Sequence, residues 1–476
     1  MKIVKRSLIV LTVLALVGGV AALFVLQQLG VAPRVMARYV ERRAEQHNAA
    51  IVAAAALASH TALLADRGAG TATLPFAPSF GAQPAAPARD GRETLVASVA
   101  ELATVVERAV PGELITLLPG HYRLGGGIGL ARSGLPGQPI VLRARAPESV
   151  VIEVDTVQAF VVSGSDWLVE NLTLRGICSD RASCDHAFHV VGGGTRFTAL
   201  NNHISDFNAH FKINGEAGRF PDQGRIEGNT LDNSAARATE STVAAIDLVG
   251  ANGWVIRRNL IRDIVKADGD RVSYGGYAKG AGSHNLFEQN VVLCESNLHD
   301  LPGARVGLSL GGGGSGREFC RDQRCIMEQE ESTLRENLVA GCSDAGIYLN
   351  SAARSTIVNN TLLDTAGIDV RFAASTARLD GNLVDGAIRS RNDGVIYLGE
   401  NMSTPTAALF LAWHPVRRLF ADPTALALEW ANSPPRRETP GVEGAVDLCG
   451  VRRPASAALG AFEQWQACRR QDGVRP

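Results

Sequence analysis

A short pattern, apolar-x-x-Asn-apolar-apolar, recurs along the middle of this chain and constrains its fold more than any other feature. The asparagines of the pattern are Asn171, Asn202, Asn229, Asn259, Asn290, Asn337, Asn360 and Asn382. Successive ones are separated by 31, 27, 30, 31, 47, 23 and 22 residues. Repeats of about 20 to 50 residues are the signature of stacked supersecondary units. The shortest spacing fits one coil of a β-solenoid, and the longer spacings predict the same coil with loop insertions.

Each repeat also contains a second apolar segment ahead of the asparagine, such as Phe188-His-Val-Val and Ile246-Asp-Leu-Val. Residues in a strand alternate between two faces, so one set of side chains enters the core and the other faces outward. Asparagine suits the turn because it tolerates left-handed backbone and bonds to nearby turn amides. Stacked asparagines can also hydrogen-bond to one another along the axis as a ladder. We therefore interpret the repeated asparagines as structural.

The charge balance and the glycine-rich segment exclude two classes of partner. The 476 residues carry a formal net charge of −1 at pH 7. The chain therefore lacks the basic field that nucleic-acid binding requires. The run Gly311-Gly-Gly-Gly-Ser-Gly does not end in the Gly-Lys-Ser/Thr of a phosphate loop, so we expect no nucleotide ligand.

The N-terminal region predicts a membrane anchor. The segment 8–26 is apolar apart from Thr12 and follows three basic residues. Its length suffices to cross a hydrocarbon layer of about 30 Å, whereas the apolar core of a cleaved signal peptide has only about 7–15 residues. We assign residues 1–33 to a signal anchor, 34–66 to a juxtamembrane helix, 67–93 to an Ala/Pro/Gly-rich linker, 94–400 to the repeats, and 401–476 to a C-terminal extension that closes them.

The eight cysteines all lie outside the anchor. The pairs close in sequence are Cys178–Cys184, Cys320–Cys325 and Cys449–Cys468, which leaves Cys294 and Cys342. An even set of this kind predicts four disulfides in an oxidising compartment. A zinc site is the alternative, but no Cys-x2-Cys pair or histidine spacing supports it. Together with the anchor, the cysteines predict a bacterial cell-envelope protein with one inner-membrane helix and its repeats in the periplasm.

A family resemblance rests on three segments as well as on the repeats. Pro111-Gly-Glu-Leu-Ile-Thr-Leu-Leu-Pro-Gly is similar to a first strand, Gly134-Leu-Pro-Gly-Gln-Pro-Ile-Val-Leu to a second strand, and Leu459-Gly-Ala-Phe-Glu to a closing segment of one family. These are the right-handed parallel β-helix (pectin-lyase-like) proteins, and the chain resembles most the chondroitinase-B/alginate-lyase type. The resemblance implies an all-β fold, a single-stranded right-handed parallel β-helix, which here follows an N-terminal transmembrane helix. It also implies an acidic polysaccharide as the partner.

Aligning the strands of successive repeats predicts an outward column that holds His189, Lys212, Asp247, Lys279, Tyr348 and Asp369. Adjacent coils stack at about 4.8 Å, so the two lysines and Asp247 are expected within about 10 Å of one another. Only five of the 47 basic residues are lysines. A lysine, unlike an arginine, can lose its proton in a protein. The predicted substrate-binding residues of this cleft are His189, His210, Lys212, Asp247, Tyr348 and Arg371.

The resemblance implies β-elimination of a uronate polymer. A base removes the proton at C5, a cation neutralises the adjacent carboxylate, and an acid serves the leaving oxygen. In the similar lyases a lysine and an arginine on neighbouring coils share this work with bound calcium. Lys279 stands at the position of that lysine, and Arg305 follows one coil later. Those lyases carry paired acidic calcium ligands where this chain has Arg271-Val-Ser-Tyr-Gly-Gly, which leaves Asp247, Asp268 and Asp270 as candidate metal ligands.

Two alternatives remain open beside elimination. A C5 uronate epimerase shares the proton abstraction and differs from the lyase in the steps after it. A scaffold that holds an envelope polysaccharide without cutting it belongs to a different class. An unsaturated product that absorbs ultraviolet light distinguishes the lyase from the scaffold.

Overall fold

Three long parallel sheets, A, B and C, wind around one axis and form the body of the protein. The computed structural model describes residues 2–67, 73–84, 89–180, 183–312, 315–438 and 445–470. Within this part of the chain, the sheets have 12, 11 and 10 strands. Each coil runs through A, then B, then C, and each strand pairs in parallel with the corresponding strand of the next coil. The chain is thus a single-stranded right-handed parallel β-helix, as the sequence predicted.

The strands of sheet A, in order along the axis, are Arg92–Val96, Glu113–Leu117, Ile140–Ala144, Trp167–Glu170, Thr198–Leu200, Arg225–Glu227, Val255–Arg257, Leu286–Glu288, Thr333–Arg335, Ser355–Val358, Thr376–Asp380 and Val395–Leu398. Those of sheet B are Gly120–Leu124, Val150–Val154, Thr173–Gly176, His203–Ser205, Thr230–Asp232, Leu260–Arg262, Val291–Leu293, Leu338–Ala340, Thr361–Leu363, Leu383–Val384 and Met402–Ser403. Those of sheet C are Ile128–Leu130, Gln158–Val162, His186–Val191, Ala209–Asn214, Val243–Val249, Val272–Lys279, Ala304–Gly311, Ile347–Asn350, Gly367–Arg371 and Ala387–Arg391.

Smaller elements flank these sheets. The α-helices are α1 (Lys2–Leu29), α2 (Pro33–Ala44), α3 (Ala49–Asp66), α4 (Val99–Arg108) and α5 (Thr406–Phe410). The short 3-10 helices are Arg317–Phe319, Arg417–Leu419 and Trp465–Cys468. The minor sheets are Gly282–Ser283 with Gln329–Glu330 and Ala352–Ala353, Phe420–Asp422 with Ala427–Trp430, and Arg436–Glu438 with Ser456–Ala458.

The N-terminal region differs from the single helix expected over residues 34–66. It consists of two helices because Asn48 accepts a hydrogen bond from the Ile51 amide and begins α3 there. By length and composition, α3 is apolar enough to cross a membrane. The second half of α1, Val17–Leu29, meets that criterion only together with α2, which is bent away from it by 90°.

The asparagine ladder lies between sheets A and B. Asn259 is fully buried, and its amide nitrogen donates to the Ile226 carbonyl and to the Asn290 Oδ1, each at 2.9 Å. Its own Oδ1 accepts from the backbone and side-chain nitrogens of Asn229, at 2.9 and 3.1 Å. The ladder therefore fixes each coil on its neighbours.

The left-handed residue of each turn is not the asparagine that we expected. In most coils it is the residue before the ladder asparagine, as at Arg258 with φ of 55° and Gln289 with φ of 55°. The ladder positions require asparagine because its side-chain amide both donates and accepts hydrogen bonds between neighbouring coils. Asn171 is the exception, with its own φ of 62°.

The core is formed by inward side chains of the three sheets. On sheet C, the rings of Phe160, Phe188 and Phe211 stack at 5.3 and 5.4 Å between centroids. Close packing at the corner between sheets B and C requires very small side chains. A Cβ at Gly307 would lie 2.4 Å from both the Gly346 carbonyl oxygen and the Val339 Cγ1.

The eight cysteines form four disulfides, the number that the sequence predicted. The disulfides are Cys178–Cys184, Cys294–Cys342, Cys320–Cys325 and Cys449–Cys468. Part of the predicted linker packs on the C-terminal extension, where the Phe76 ring lies 5.3 Å from that of Trp465. The Ser79 amide also donates to the Cys468 carbonyl at 2.8 Å.

Replacing one asparagine of the ladder tests its contribution to stability. Asn259→Ala removes hydrogen bonds on both sides of a fully buried coil, and we expect the free energy of unfolding to fall by about 3 kcal/mol. The exposed Asn432 is the control, and Asn432→Ala should change it by less than about 0.5 kcal/mol. Urea unfolding followed by circular dichroism measures both variants. Equal stabilities for the two variants would contradict the structural role of the ladder.

Candidate functional site

The outward face of sheet C carries a column of polar side chains. His189 is in register with Lys212, Lys212 with Asp247, and Asp247 with Tyr277. The column continues through Ser309, Tyr348, Asp369 and Arg389. Neighbouring strands are about 4.8 Å apart, so adjacent members of the column touch or nearly touch. The sequence predicted this column correctly except at one position.

That position is Lys279, which is in register with Val249 and not with Asp247. Tyr277 occupies the position that we expected Lys279 to fill. A shift of two residues preserves the face of the strand, because side chains alternate with a period of two. Lys279 therefore still faces outward, in the next column along the strand.

Asp247 lies at the centre of the face and is only 2% exposed. Its Oδ2 accepts a hydrogen bond from the Lys212 Nζ at 2.7 Å, whereas its Oδ1 has no hydrogen-bond partner among the described residues. Burial by itself would raise the pKa of Asp247, but the positive charges of Lys212 and Lys279 outweigh it and hold that pKa below its ordinary value. Asp247 is thus a carboxylate at neutral pH.

The hydroxyl of Tyr277 is also buried and has no hydrogen-bond partner that meets normal geometry in the described part of the chain. Burial and the negative charge of Asp247 raise the pKa of Tyr277 well above its ordinary value. The phenol is therefore protonated at neutral pH. The Tyr277 hydroxyl and the Asp247 carboxylate are close enough to interact with each other, but neither the hydroxyl nor the Asp247 Oδ1 has a hydrogen bond of normal geometry.

Lys279 completes this group. Its Nζ lies 5.0 Å from the centroid of the Tyr277 ring. No described residue forms a hydrogen bond or an ion pair with its ammonium. The chain folds back beside Lys279, where a Cβ at Gly312 would lie 2.9 Å from the Lys279 Cδ. We refer to Lys212, Asp247, Tyr277 and Lys279 together as the central cluster.

A loop forms one wall beside the central cluster. The disulfide Cys320–Cys325 closes the loop. Arg321, within it, donates to both carboxylate oxygens of Asp222 at 2.7 and 2.9 Å and to the Gly250 carbonyl at 3.1 Å. The loop is therefore fastened to the coils that carry Asp247 and Lys279.

Arg305 is not part of this site, contrary to our expectation. It is in register with Ser273, at the opposite end of the strand from Lys279. Six residues of strand correspond to about 20 Å. Arg305 is also buried, with its Nε 3.3 Å from the Glu295 Oε1 and its Nη2 donating to the Leu301 carbonyl. Arg305 is therefore too far from Lys279 to neutralise the carboxylate of a sugar whose C5 proton Lys279 removes.

The two predicted histidines have different environments. His210 is fully buried at the corner between sheets B and C, where its Nε2 lies 3.0 Å from the Asp232 carbonyl oxygen. It therefore does not contact a substrate. His189 is half-buried on the face, with its ring nitrogens 3.2 Å from the Gln158 Oε1 and 2.8 Å from the Asn214 Oδ1.

The far end of the face is more fully paired. Asp369 accepts from Arg389 at 3.0 Å and also from Arg391. Tyr348 lies beside Asp369 on the neighbouring strand. Arg371 is half-buried, with its guanidinium 4.4 Å from the Phe372 ring. These residues extend the polar face and are paired more fully than the central cluster.

The structure does not bring the three candidate calcium ligands together. Asp268 and Asp270 lie on an exposed loop, and the Asp270 Oδ1 accepts from the Lys266 Nζ at 2.9 Å. Asp247 is paired with Lys212 on the face of the sheet. Among the described residues, the group that meets the distance criterion for a metal is Cys320, Cys325 and Glu328, whose cysteines form a disulfide. Neither the three aspartates nor this group therefore provides the set of oxygen ligands that calcium requires.

Sequence reasoning missed Tyr277. The sequence feature that could have identified Tyr277 is the segment Tyr274-Gly-Gly-Tyr-Ala-Lys, because residues 277 and 279 both face outward on its strand. Residues at the start of the strand could have fixed the register, because Tyr274 pairs with Ala244. The spacing of 30 residues between Asn229 and Asn259 also leads from Asp247 to Tyr277.

Several solved structures are similar to this chain at low sequence identity. No protein-family model and no curated protein matches the chain. The solved structures that match include pectate lyase Pel9A, with a TM-score of 0.49, 15% identity, and coverage of 79% of this chain and 97% of that chain. A rhamnogalacturonan lyase matches with a TM-score of 0.43, 13% identity, and coverage of 66% and 87%.

A third match is the A-module of the Azotobacter vinelandii mannuronan C-5 epimerase, with a TM-score of 0.36, 16% identity, and coverage of 68% of this chain and 94% of that chain. The matched structures are parallel β-helix proteins that act on polysaccharides, the kind of protein that the sequence resemblance indicated. At these identities the likeness describes the fold alone.

The buried His210 predicts an acid-sensitive contribution to stability. Burial lowers the pKa of His210 from its ordinary 6.5 to about 4. The folded state therefore disfavours the proton, and stability present above pH 6.5 is lost as the pH falls toward 4. Between pH 7 and pH 4.5 this group should cost about 2 to 3 kcal/mol.

The test compares wild type with His210→Gln, which retains a donor for the Asp232 carbonyl. Urea unfolding at pH 7 and pH 4.5 should give a smaller loss of stability for the variant, because other titrating groups are common to both proteins. The same loss in both proteins would mean that His210 does not titrate as described.

Proposed function

We propose that this protein acts on an acidic, uronate-containing polysaccharide that lies across the outward face of sheet C, and that it cleaves the chain by β-elimination at the central cluster. The observation that carries the proposal is the buried pair of Asp247 and Tyr277 on the outward face, with no hydrogen bond of normal geometry at the Asp247 Oδ1 or the Tyr277 hydroxyl, beside the ammonium of Lys279. The two cations suit a polyanionic sugar chain.

In the proposed reaction, the Lys279 ammonium first gives a proton to solvent, and the resulting amine acts as the base. The C5–H bond breaks and the proton goes to the Lys279 nitrogen, while the electron pair forms the C4–C5 double bond. The C4–O bond breaks, and the leaving oxygen takes the phenolic proton of Tyr277. The Tyr277 phenolate then takes up a proton from solvent, which restores the starting state because Lys279 is again an ammonium.

Asp247 and Lys212 have supporting roles in this proposal. The negative charge of Asp247 keeps the phenol of Tyr277 protonated until the leaving oxygen needs the proton. Lys212 is a quarter exposed and supplies positive charge next to the site. It replaces Arg305 as the candidate that neutralises the uronate carboxylate.

The geometry favours elimination over C5 epimerisation. Tyr277 and Lys279 belong to one strand and face outward from the same sheet. An epimerase must deliver a proton to the side of C5 opposite the one from which the first proton left. Groups on one wall approach the sugar from one side, which suits removal of a proton and protonation of a leaving group on that side.

The disulfides suit an oxidising location, and we propose the bacterial cell envelope. In this proposal α1 is the single inner-membrane anchor and the β-helix lies in the periplasm. The scaffold alternative retains the same location and the same polymer, and differs only in the absence of turnover.

An ultraviolet assay over alginate, pectate and chondroitin tests the chemistry. Wild type should release unsaturated product from at least one polymer. Lys279→Ala and Tyr277→Phe should each reduce the rate by about 100-fold or more, since proton transfer by a positioned side chain contributes about 10²–10⁴. The control Arg378→Ala, on an exposed position of sheet A, should retain the wild-type rate.

Lys279→Arg separates a base from a binding charge. It keeps the positive charge but does not release the proton. We expect affinity for the polymer to be nearly unchanged while turnover is lost. Wild-type turnover in Lys279→Ala would refute the role of Lys279. Tight binding of the polymers without any product from wild type would favour the scaffold.

A further inference from the structure

Helix α3 is an unusual element for a protein surrounded by water. Its sequence is almost entirely apolar, and only 11% of it is buried inside the protein. Leu57 and Leu64 are 69% and 67% exposed, and Ile51 is 45% exposed. Residues 57 and 64 are seven apart, so they lie on the same side of the helix. Exposed apolar surface of this extent marks a contact with a membrane or a partner.

The inner side of α3 is fixed on α2. The Ser59 hydroxyl donates to the Ala37 carbonyl at 3.1 Å, and the buried Asp66 carboxylate pairs with the Arg34 Nη2 at 2.7 Å. Helix α2 in turn contacts the β-helix, where Arg34 donates to the Cys342 carbonyl at 2.9 Å and Arg38 pairs with Asp344 at 2.7 Å. The two helices are therefore held against the β-helix.

The direction of α2 and α3 follows from the bend after α1. Helix α2 is turned by 90° from Val17–Leu29. If α1 crosses the bilayer as proposed, α2 lies along the membrane surface, and α3 packed on it lies along the surface too. An α3 that crossed the membrane would draw α2 with it, and α2 has five charged residues among its twelve. That burial is too costly.

The residues next to α3 indicate that lipid covers its exposed apolar side. Helix α5 contacts both α1 and α3, and its Ala407 amide donates to the Gln27 Oε1 at 3.0 Å. Leu411 and Trp413, which follow α5, are 60% and 49% exposed. Tryptophan is enriched where a membrane meets water. The exposed apolar residues of α3 and of this turn are thus close to the end of the proposed anchor.

A polar group on α3 is also satisfied without water. The Thr61 hydroxyl donates to the Leu57 carbonyl of its own helix at 2.9 Å. This bond removes the need for a solvent partner one turn from Leu57.

We propose that α3 lies flat in the interfacial layer of a phospholipid bilayer, with Leu57 and Leu64 among the lipid chains. The protein then contacts the membrane through two elements, the crossing helix α1 and the surface helix α3. Two contacts fix the orientation of the β-helix relative to the membrane, whereas a single helix leaves it free to rotate. The exposed Arg42 and Arg43 of α2 suit anionic head groups.

The test places a fluorescent label on α3 in the full chain. The cysteines described in the structure are all in disulfides, so Leu57→Cys introduces a single reactive thiol. The labelled protein is reconstituted in vesicles of phosphatidylcholine and phosphatidylglycerol. Quenching is measured with iodide in the water and with brominated lipid in the bilayer. Arg378→Cys is the control because position 378 is 71% exposed on sheet A.

At position 57 we expect iodide quenching to be at least about five-fold weaker than at position 378, with strong quenching by brominated lipid. Iodide access equal to that at position 378 would overturn the proposal. Protection from iodide without quenching by brominated lipid would also overturn it, since it would mean that a protein covers the helix. Failure of the protein to float with the vesicles counts against it as well. None of these readouts depends on polysaccharide turnover.

Discussion

The hydrogen-bonded stack of parallel coils determines where every side chain on the outer faces lies. Each ladder asparagine bonds to the coil before it and the coil after it, as Asn259 does with Asn229 and Asn290. These bonds are inside the protein and away from competing water, so they hold the coils in one register. The polar face on sheet C depends on that register, since its residues come from separate parts of the sequence. Lys212 and Lys279 share one wall although they belong to different coils.

The central cluster combines paired and unpaired groups in a way that purely structural ion pairs do not. Asp369 and its two arginines at the far end of the face satisfy one another. Asp247 instead keeps one oxygen without a partner, and it faces a phenol in the same condition. Other buried polar atoms among the described residues also lack a hydrogen bond of normal geometry, and these two are set apart because they lie on the outward face beside Lys212 and Lys279. This contrast distinguishes the central cluster from the remaining polar residues of the face.

Much of the fold was predictable from the sequence, because the repeated asparagines mark each coil and the cysteines are close in pairs. The outward column was also predictable, because strand residues alternate with a period of two. The position of Lys279 was displaced by two residues because residues 277 and 279 both face outward on one strand, although the ladder spacing of 30 residues applied to Asp247 leads to Tyr277. Sequence patterns gave no indication that His210 points into the corner. Arg305 was misplaced because being one coil later does not say which end of a strand a residue occupies.

A crystal structure of the protein with a bound acidic oligosaccharide tests the central claim most directly. The account predicts sugar rings along the outward face of sheet C, one carboxylate within hydrogen-bond distance of Lys212 or Lys279, and a glycosidic oxygen next to the hydroxyl of Tyr277. An oligosaccharide bound on sheet A or B, with the central cluster untouched, would contradict it.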